Sequence, residues 1–361
     1  MVPKGWVKIR LGSVAELQRG FDLPSSQRED GCVPIVSSGG VTGYHNEAKS
    51  KAPGVVTGRY GSIGDVFYLE EDYWPLNTSL WVKDFHENHE KFIYYLLSNF
   101  DFNKFSDKTG VPGVNRNDLH AVKVGLPPLP EQKKIAQILS TWDKAITTTE
   151  QLLANSQQQK KALMQQLLTG NKRLLDNNGV RFSGEWKRVE LGDLLDYQQP
   201  TPYLVESTEY SDDFSTPVLT AGKTFILGYT DEESGIFSEK LPAIIFDDFT
   251  TASKFVDFPF KAKSSAMKIL TAKKGVSIKY AYEAMQLLDF AVGGHQRHWI
   301  SIYSRLVIPF PGKEEQQKIA AVLSTADQEI TALQQKLDAL KQEKKALMQQ
   351  LLTGKRRVTL N

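Results

Sequence analysis

Apolar residues recur at alternating spacings of four and three in two long segments of the chain. This spacing is typical of a heptad seam, which is narrower than the apolar stripe of a helix that packs on a globular core. It predicts two helices, each a rod of roughly 55 Å at 1.5 Å rise per residue, that bury one face against a partner helix. The seam residues are Ile135, Leu139, Trp142, Ile146, Leu153, Leu163 and Leu167 in the first segment, and Ile319, Leu323, Ile330, Leu333, Leu337, Leu340, Leu347 and Leu351 in the second.

Polar residues interrupt both seams. Thr149 and Ser156 stand in the first segment where the second has leucines, and Lys160 and Lys344 occupy the same place in the two segments. We expect the helix pair to be looser opposite Thr149 and Ser156. The two lysines should be solvated or paired with Glu rather than buried, because lysine is rarely buried without a partner.

The two helical segments belong to an internal repeat. Residues 131–146 recur with small changes as residues 315–330, and residues 160–170 recur unchanged as residues 344–354, in both cases 184 positions later. The segments that precede them are much less alike. The chain is therefore a tandem duplication in which a variable globular part precedes a constant helical part. The predicted parts are globular residues 1–125, helical residues 126–177, globular residues 178–310 and helical residues 311–361.

Two nearly identical helices in one chain can pair with each other in either direction. We expect antiparallel pairing, with the two globular parts related by a pseudo-two-fold axis, because the linker that follows Gly170 is short. Parallel pairing would place both globular parts at the same end of the rod. A dimerisation coiled coil between two chains remains an open alternative.

The globular parts combine short β-rich runs with single helical patches. Runs such as VPIVSSGG, GVVTGRY and PAIIFDDF are punctuated by Gly, Pro, Ser and Asp, as strands joined by turns are. Helical patterns at residues 90–100 and 276–290 sit at comparable places in the two copies. The predicted fold class is α+β, with two globular domains that alternate with two long paired helices.

The charge balance is nearly neutral. The 361 residues include 44 Lys and Arg against 42 Asp and Glu, which leaves a net charge of +2. By segment, the globular parts carry −1 and −3 and each helical part carries +3. This distribution argues against a protein that coats nucleic acid by bulk electrostatics, so any polyanion must meet local positive charge.

Cysteine and hydropathy patterns indicate the compartment. Cys32 is the single cysteine, which excludes an intramolecular disulfide framework and a cysteine-based zinc site and fits a reducing environment. No apolar stretch approaches the length of a membrane span, and the first ten residues lack the apolar core of a signal peptide. We expect a cytoplasmic protein that has no membrane partner.

Motifs for catalysis and cofactors are weak. Gly222, Lys223 and Thr224 resemble the end of a phosphate-binding loop, but Pro217 stands where that loop needs its first glycine. The pairs His86 with His89 and His295 with His298 lack accompanying metal ligands at suitable spacing, so we expect no metal. Asp247 and Asp248 follow an apolar run and could hold Mg²⁺, although a solvated turn is the preferred interpretation. We expect no cofactor.

Glycine-rich turns carry side chains suited to nucleic acid. Arg, Lys, Asn and Gln offer the donors that base edges and phosphates accept, although a single such loop residue is more often merely solvated. The candidate DNA-binding residues are Arg59, Tyr60, Ser62, Lys108, Asn115 and Arg116 in the first globular part, and Lys223, Thr224, Lys254, His295, Gln296, Arg297 and His298 in the second.

The whole chain resembles the specificity subunit of type I restriction–modification systems. The resemblance rests on LPPLPEQKKIAQILSTWDKAI with KKALMQQLLTG, on their second copies PFPGKEEQQKIAAVLSTADQEI with KKALMQQLLTG, and on the entry segments GWVKIRLGSVAE and EWKRVELGDLLD. It implies that each globular part is a target recognition domain for one half of a split, asymmetric site on double-stranded DNA. The paired helices would act as a ruler for the unread spacer.

The same resemblance implies the partners. Two modification subunits, which methylate adenine, would dock on the helical region and the domains, and restriction subunits would join that assembly. This chain would have no catalytic activity of its own. A competing hypothesis, favoured by the low net charge, is a coiled-coil adaptor whose globular ends bind protein without reading DNA.

Overall fold

The computed structural model describes residues 2–105, 113–222, 224–290 and 298–359, without the side chain of Asn103. It divides into two compact units, each built from one globular part and portions of both long helices. Unit 1 comprises Met1–Gln151 and Gln335–Asn361, and unit 2 comprises Leu152–Gln334. The predicted candidates Lys108, Lys223, His295, Gln296 and Arg297 lie outside the described residues.

The described residues of the globular part of unit 1 form nine strands in three small sheets. A four-stranded antiparallel sheet has the order β2-β8-β5-β6, a three-stranded sheet has the order β4-β3-β7 with β3 and β7 parallel, and β1 pairs with β9. The strands are β1 (Val7–Arg10), β2 (Glu16–Arg19), β3 (Val33–Ser37), β4 (Gly40–His45), β5 (Gly54–Gly58), β6 (Val66–Leu69), β7 (Trp74–Pro75), β8 (Ser79–Asp84) and β9 (Lys123–Leu126).

Unit 2 repeats this arrangement strand for strand. Its sheets have the orders β11-β17-β14-β15 and β13-β12-β16, with β12 and β16 parallel, and β10 pairs with β18. The strands are β10 (Lys187–Glu190), β11 (Leu195–Gln198), β12 (Thr216–Leu219), β13 (Ile226–Thr230), β14 (Ala243–Asp247), β15 (Ser253–Val256), β16 (Lys261–Ala262), β17 (Met267–Ala272) and β18 (Val307–Phe310).

Seven α-helices accompany the described strands. The two helical patches predicted in the globular parts are present. Each is preceded by a capping residue whose side chain accepts a hydrogen bond from a backbone amide of the first turn, His89 in the first copy and Ser277 in the second. The two predicted rods are continuous helices of 39 residues. The helices are α1 (Glu90–Ser98), α2 (Arg116–Ala121), α3 (Leu129–Leu167), α4 (Leu191–Leu194), α5 (Ile278–Met285), α6 (His298–Ser301) and α7 (Lys313–Leu351). None of these helices is both long and apolar enough to cross a membrane.

The ends of the long helices belong to the globular cores. In unit 1, Ile135 and Leu139 of α3 and Leu351 at the end of α7 lie in one buried cluster with α1 and the four-stranded sheet. In unit 2, Leu167 and Ile319 occupy the corresponding places. Burying these apolar residues anchors each globular part to both helices.

The helices pair antiparallel within each unit, as predicted. Partner numbers fall as residue numbers along α3 rise, which is the signature of antiparallel neighbours. The unit 1 contacts are Glu131 with Arg357, Asp143 with Lys344 and Glu150 with Lys341, and the unit 2 contacts are Ser156 with Glu329, Lys160 with Asp327 and the following Arg173 with Glu315. All predicted seam residues are buried or half-buried.

The polar interruptions of the seam do not open it to solvent. Thr149 and Ser156 are buried, the first donating to the Ala145 carbonyl at 2.8 Å and the second to Glu329 Oε1 at 3.1 Å. Lys160 and Lys344 are paired, but they are not solvated: their side chains are only 17% and 18% exposed. Both lysines are thus paired and only half-buried, as expected. Lys160 has Glu283 at 3.2 Å as well as Asp327, whereas the partner of Lys344 is Asp143 and not a glutamate.

Candidate nucleic-acid interface

A buried polar node fixes each globular part to the helix pair. In unit 1, Trp6 Nε1 donates to Glu131 Oε2 at 3.0 Å, and Arg357 donates to both carboxylate oxygens of Glu131 at 2.6 and 2.8 Å. These bonds satisfy a carboxylate that is almost fully buried, and they raise the pKa of Arg357. The equivalent node of unit 2 consists of Trp186, Glu315 and Arg173.

Two predicted DNA-binding segments of unit 1 lie side by side. β5 ends at Gly58, and the chain then turns so closely that a Cβ on Gly58 would lie 1.8 Å from the Ser62 carbonyl oxygen. The Val114 amide donates to the Arg59 carbonyl at 2.9 Å, and Tyr60 forms a β-bridge with Gly113. This pairing brings the turn after β5 next to the segment that leads into α2.

These segments and β2 line an open pocket of about 770 Å³. Its lining carries three guanidinium groups and two side-chain amides, and it has a local positive charge that the globular part as a whole lacks. We call it the arginine pocket. Its polar lining side chains are Gln18, Arg19, Arg59, Tyr60, Asn115 and Arg116.

The arginines on one side of the pocket are held by a network of hydrogen bonds. The Arg59 guanidinium stacks 4.5 Å from the Tyr60 ring centroid, and its Nη1 lies 3.4 Å from the Asn77 carbonyl oxygen. Arg19 Nη2 donates to both carboxylate oxygens of Asp22, at 2.9 and 3.0 Å, and the Asn77 side chain also donates to Asp22. The bonds from Asn77 and Arg19 lower the pKa of Asp22, so it stays ionised as an acceptor.

This geometry suits contact with an anionic, base-bearing ligand. Guanidinium groups with restricted rotation can make paired hydrogen bonds to guanine edges or phosphates, and amide side chains can do so to adenine. Asn115 and Arg116 lie exposed at the start of α2, where Asn115 Oδ1 also accepts from the Asn117 amide at 2.9 Å.

The structure adds two residues to the pocket that sequence reasoning did not select. Gln18 and Arg19 end strand β2, which lies far along the chain from the glycine-rich turns. The signal for them in the sequence is Arg19-Gly20 at a strand end, an arginine next to a glycine like Arg59 next to Gly58.

The corresponding place in unit 2, at the end of β14 and the start of α6, holds a buried polar cluster. Lys268 Nζ lies 3.4 Å from Asp248 Oδ2, and the side chains of both residues are 1% exposed. The Trp299 amide donates to Asp248 Oδ1 and the His298 amide donates to the Asp248 carbonyl, both at 2.9 Å. Asp247 does form the expected turn, accepting from the Phe249 amide at 2.9 Å.

Two sequence-based interpretations are corrected by this cluster. Asp248 is not part of a solvated turn, because Lys268 and the start of α6 cover it. His298 is also buried, so its side chain is not available on the surface as a DNA contact. Asp248 accepts hydrogen bonds from the backbone amides of His298 and Trp299 at the start of α6, so Asp248 and His298 are buried together.

The remaining described candidates are separate from the arginine pocket. Ser62, Thr224 and Lys254 are exposed: Ser62 follows the turn after β5, Thr224 precedes β13, and Lys254 lies on β15. The structure does not bring them into one group.

One group of potential metal ligands occurs among the described residues. Oxygen and nitrogen atoms of Glu16, Asp84 and His86 lie within 4.8 Å of one another. Two of these side chains are exposed, and Lys83 already pairs with Glu16 at 3.4 Å. We assign no metal to this group.

Comparison with known proteins identifies the family. The family model described as type I restriction modification DNA specificity domain matches residues 3–155 and again residues 183–342. The chain belongs to this family. The two matches correspond to the two copies of the internal repeat, so the chain carries two DNA specificity domains of the type I kind.

Related specificity subunits resemble different shares of the chain. The EcoR124I/EcoR124II specificity subunit of Escherichia coli is 48% identical over 177 residues, which are 48% of this chain and 41% of that protein. The MjaVIII specificity subunit of Methanocaldococcus jannaschii is 25% identical over 289 residues, 69% of this chain and 66% of that one. The matches thus span less than two thirds of each relative's length.

Solved chains from type I restriction–modification systems share the fold. The S subunit of the M. genitalium type I restriction–modification system superposes with a TM-score of 0.72 at 15% identity and covers 99% of this chain and 97% of that one. A chain from a type I system studied for its complex assembly and conformational transition gives a TM-score of 0.54 at 16% identity, with 99% and 100% covered. The α+β domains with two long helices are therefore the fold of such a subunit.

Proposed function

We propose that this chain is the DNA sequence-specificity subunit of a cytoplasmic type I restriction–modification complex. Residues 1–125 and 178–310 each read one half of a bipartite, asymmetric site on double-stranded DNA. The helical residues 126–177 and 311–361 set the length of the unread spacer. Two modification subunits that methylate adenine dock on this scaffold, restriction subunits join through them, and the chain itself catalyses no step.

The arginine pocket is the observation that carries the proposal. Two segments selected from the sequence for DNA contact meet there with Arg19 of β2, in a globular part whose overall charge is −1. Local cationic side chains that are held by Asp22 and Tyr60 are what base and phosphate recognition requires. Membership of the DNA specificity family provides independent support.

The two readers need not use the same chemistry. Unit 2 has the buried Asp248 and Lys268 cluster where unit 1 has the open pocket. Direct readout depends on the donors and acceptors that face the groove. The buried Asp248 and Lys268 cannot offer the contacts that Arg59 offers in unit 1, which favours two different half-sites. This difference supports an asymmetric site.

The test is selection of duplexes from a random library by the complex of this chain with its cognate modification subunits. Arg59→Gln should weaken or relax selection at one half-site, with a loss on the order of 5- to 100-fold, as a lost paired contact to a base would produce. The other half-site should be unchanged. Arg10→Gln, an exposed arginine on β1 outside the pocket, is the control.

Two results would contradict the proposal. Unaltered affinity and half-site preference in Arg59→Gln would remove the pocket from DNA readout. If the complex with the parent chain selects no bipartite motif at all, the adaptor hypothesis becomes the better account of the chain.

A further inference from the structure

We propose that two half-buried Lys–Asp pairs, Lys344 with Asp143 and Lys160 with Asp327, are positioning residues. They fix the register of the antiparallel helices and the position of each globular part on them. Only the consequence for the length of the DNA spacer rests on the proposed function. The register itself is a property of the protein.

The unit 1 pair joins three elements. Lys344 Nζ of α7 lies 2.5 Å from Asp143 Oδ1 of α3, and the hydroxyl of Tyr95 in α1 donates to Asp143 Oδ2. Lys344 also lies 5.5 Å from the centroid of the Tyr95 ring. The Asp143 carboxylate therefore binds α7 through Oδ1 and α1 of the globular part through Oδ2.

The unit 2 pair is built in the same way with different chemistry. Lys160 Nζ of α3 lies 2.6 Å from Asp327 Oδ1 of α7, and Lys279 Nζ of α5 donates to Asp327 Oδ2 at 2.9 Å. The fully buried Glu283 lies 3.2 Å from Lys160 and 2.8 Å from Lys279. Two lysines and two carboxylates thus form a neutral cluster that again joins both long helices to the globular helix.

The internal repeat makes the two pairs equivalent. Lys160 and Lys344 are separated by 184 positions, and so are Asp143 and Asp327. Each long helix consequently supplies the lysine of one pair and the aspartate of the other. A slip of one helix along its partner would therefore break both pairs at once.

The apolar seam alone discriminates poorly between registers. A heptad pattern repeats every seven residues, so a slip of one heptad again places leucines against leucines. A half-buried charge does discriminate, because a slipped lysine would lose its carboxylate while most of its side chain stays out of water. Polar residues within a coiled-coil seam are known to select register in this way.

A third residue in each cluster, Tyr95 in unit 1 and Lys279 in unit 2, links the aspartate to the globular part. Burial raises the pKa of Tyr95, so its hydroxyl keeps the proton that it donates to Asp143. In unit 2, burial opposes ionisation of Asp327, but the bonds from Lys160 and Lys279 outweigh it and lower the pKa of Asp327. Each aspartate therefore also bonds to a helix of its globular part, α1 in unit 1 and α5 in unit 2. The position of the globular part is thereby tied to the register of the long helices.

The consequence for the proposed function is a defined spacer. A one-heptad slip moves one helix about 10 Å along the other at 1.5 Å per residue. Over B-DNA, with 3.4 Å between successive base pairs, that displacement corresponds to about three base pairs. The two pairs would thus determine which spacer length the complex accepts.

The experiment measures register directly in the full-length chain. In a Cys32→Ser background, Glu150→Cys with Lys341→Cys replaces a pair that faces across the helices at 2.7 Å, and a short bis-maleimide reports its proximity. Adding Lys344→Asp and Lys160→Asp should lower the cross-linking rate at least tenfold. Lys345→Asp with Lys161→Asp, the exposed neighbours at equivalent positions, should leave the rate unchanged.

A charge-exchange variant is needed because the two Lys→Asp substitutions could lower the cross-linking rate simply by impairing folding. The exchange reverses every charge of the two clusters: Asp143→Lys, Asp327→Lys, Lys279→Glu and Glu283→Lys are added to the two lysine reversals, because Lys279 and Glu283 contact Asp327 and Lys160. It should restore at least half of the parent rate. A rate that the lysine reversals leave unchanged, or that the exchange does not restore, would overturn the assignment.

A second readout separates this inference from the proposed function. In complex with the modification subunits, the lysine reversals should broaden the selected spacer, and the exchange variant should narrow it again. If cross-linking responds as expected but no bipartite duplex is selected even by the parent chain, the register assignment stands and the proposed function fails. A changed cross-linking rate with an unchanged spacer would refute the link to spacing.

Discussion

At the scale of single residues, buried charges distinguish the two copies of the repeat. Lys268 and Asp248 lie in the core of unit 2 at 3.4 Å, beside the buried His298, whereas the equivalent place in unit 1 is open and lined by Arg59. Removing one partner from a buried ion pair leaves the other charge without compensation. Replacing both partners removes that problem.

Lys268→Met should therefore lower the free energy of unfolding by about 3–5 kcal/mol, because the Asp248 carboxylate stays buried. Lys268→Met combined with Asp248→Asn should recover most of the loss, since Asn still accepts from the Trp299 amide. Urea titration followed by circular dichroism measures both, and Lys254→Met on the exposed face of β15 is the control. A double variant no more stable than the single one would contradict the argument.

At the scale of elements, the helix pair tolerates hydroxyl residues in its seam because each finds an acceptor. Thr149 donates to the Ala145 carbonyl and Ser156 to Glu329. The repeat shows that the seam also accommodates leucine, because Leu333 and Leu340 occupy the equivalent positions in α7. Substitution by leucine would remove a hydrogen bond within α3 at Thr149, but a hydrogen bond between the two long helices at Ser156.

Thr149→Leu should stabilise unit 1 by about 1 kcal/mol through the added apolar surface, which corresponds to a rise in Tm of about 2–4 °C. Ser156→Leu should change Tm little, because losing the bond to Glu329 offsets a similar gain. Differential scanning calorimetry distinguishes them, with the exposed Thr148→Leu as control. A fall or no change in Tm for Thr149→Leu would count against this interpretation.

At the scale of the whole molecule, charge is separated between parts. The globular parts carry −1 and −3 and the helical parts +3 each, so the net charge of +2 hides local differences. Neutralising phosphates is the main source of affinity for DNA, and here 42 acidic residues offset nearly all of the 44 basic ones. We expect the isolated chain to bind duplex DNA weakly and the assembled complex to bind it tightly.

Exchanging one globular part for that of another family member tests whether each globular part reads its own half of the site. Replacing residues 178–310 with the corresponding segment of another family member should alter one half of the selected site and leave the other half and the spacer unchanged. The reciprocal exchange of residues 1–125 should alter only the opposite half. Methylation-site sequencing reads out both chimaeras, and a site unaltered by either exchange would refute the two-reader model.

The duplication, the α+β class, the two long helices and their seam could be predicted from the amino-acid sequence. These features follow from local periodicity and from self-similarity, which do not depend on tertiary contacts. The sequence also selected Arg59, Tyr60, Asn115 and Arg116, because glycine-rich turns mark exposed loops. That these segments would share one pocket could not be derived, since they are separated by more than fifty positions.

Tertiary structure alone decided the burial of polar groups. Nothing local in the sequence distinguishes Asp248, which pairs with Lys268 in the core, from Asp247, which forms a turn beside it. Lys160 and Lys344 are similar: their pattern predicted solvation or pairing, but only folding brings Asp327 and Asp143 to them. A charged side chain enters the interior only where a distant partner compensates its lost hydration, and that partner is known only once the chain has folded.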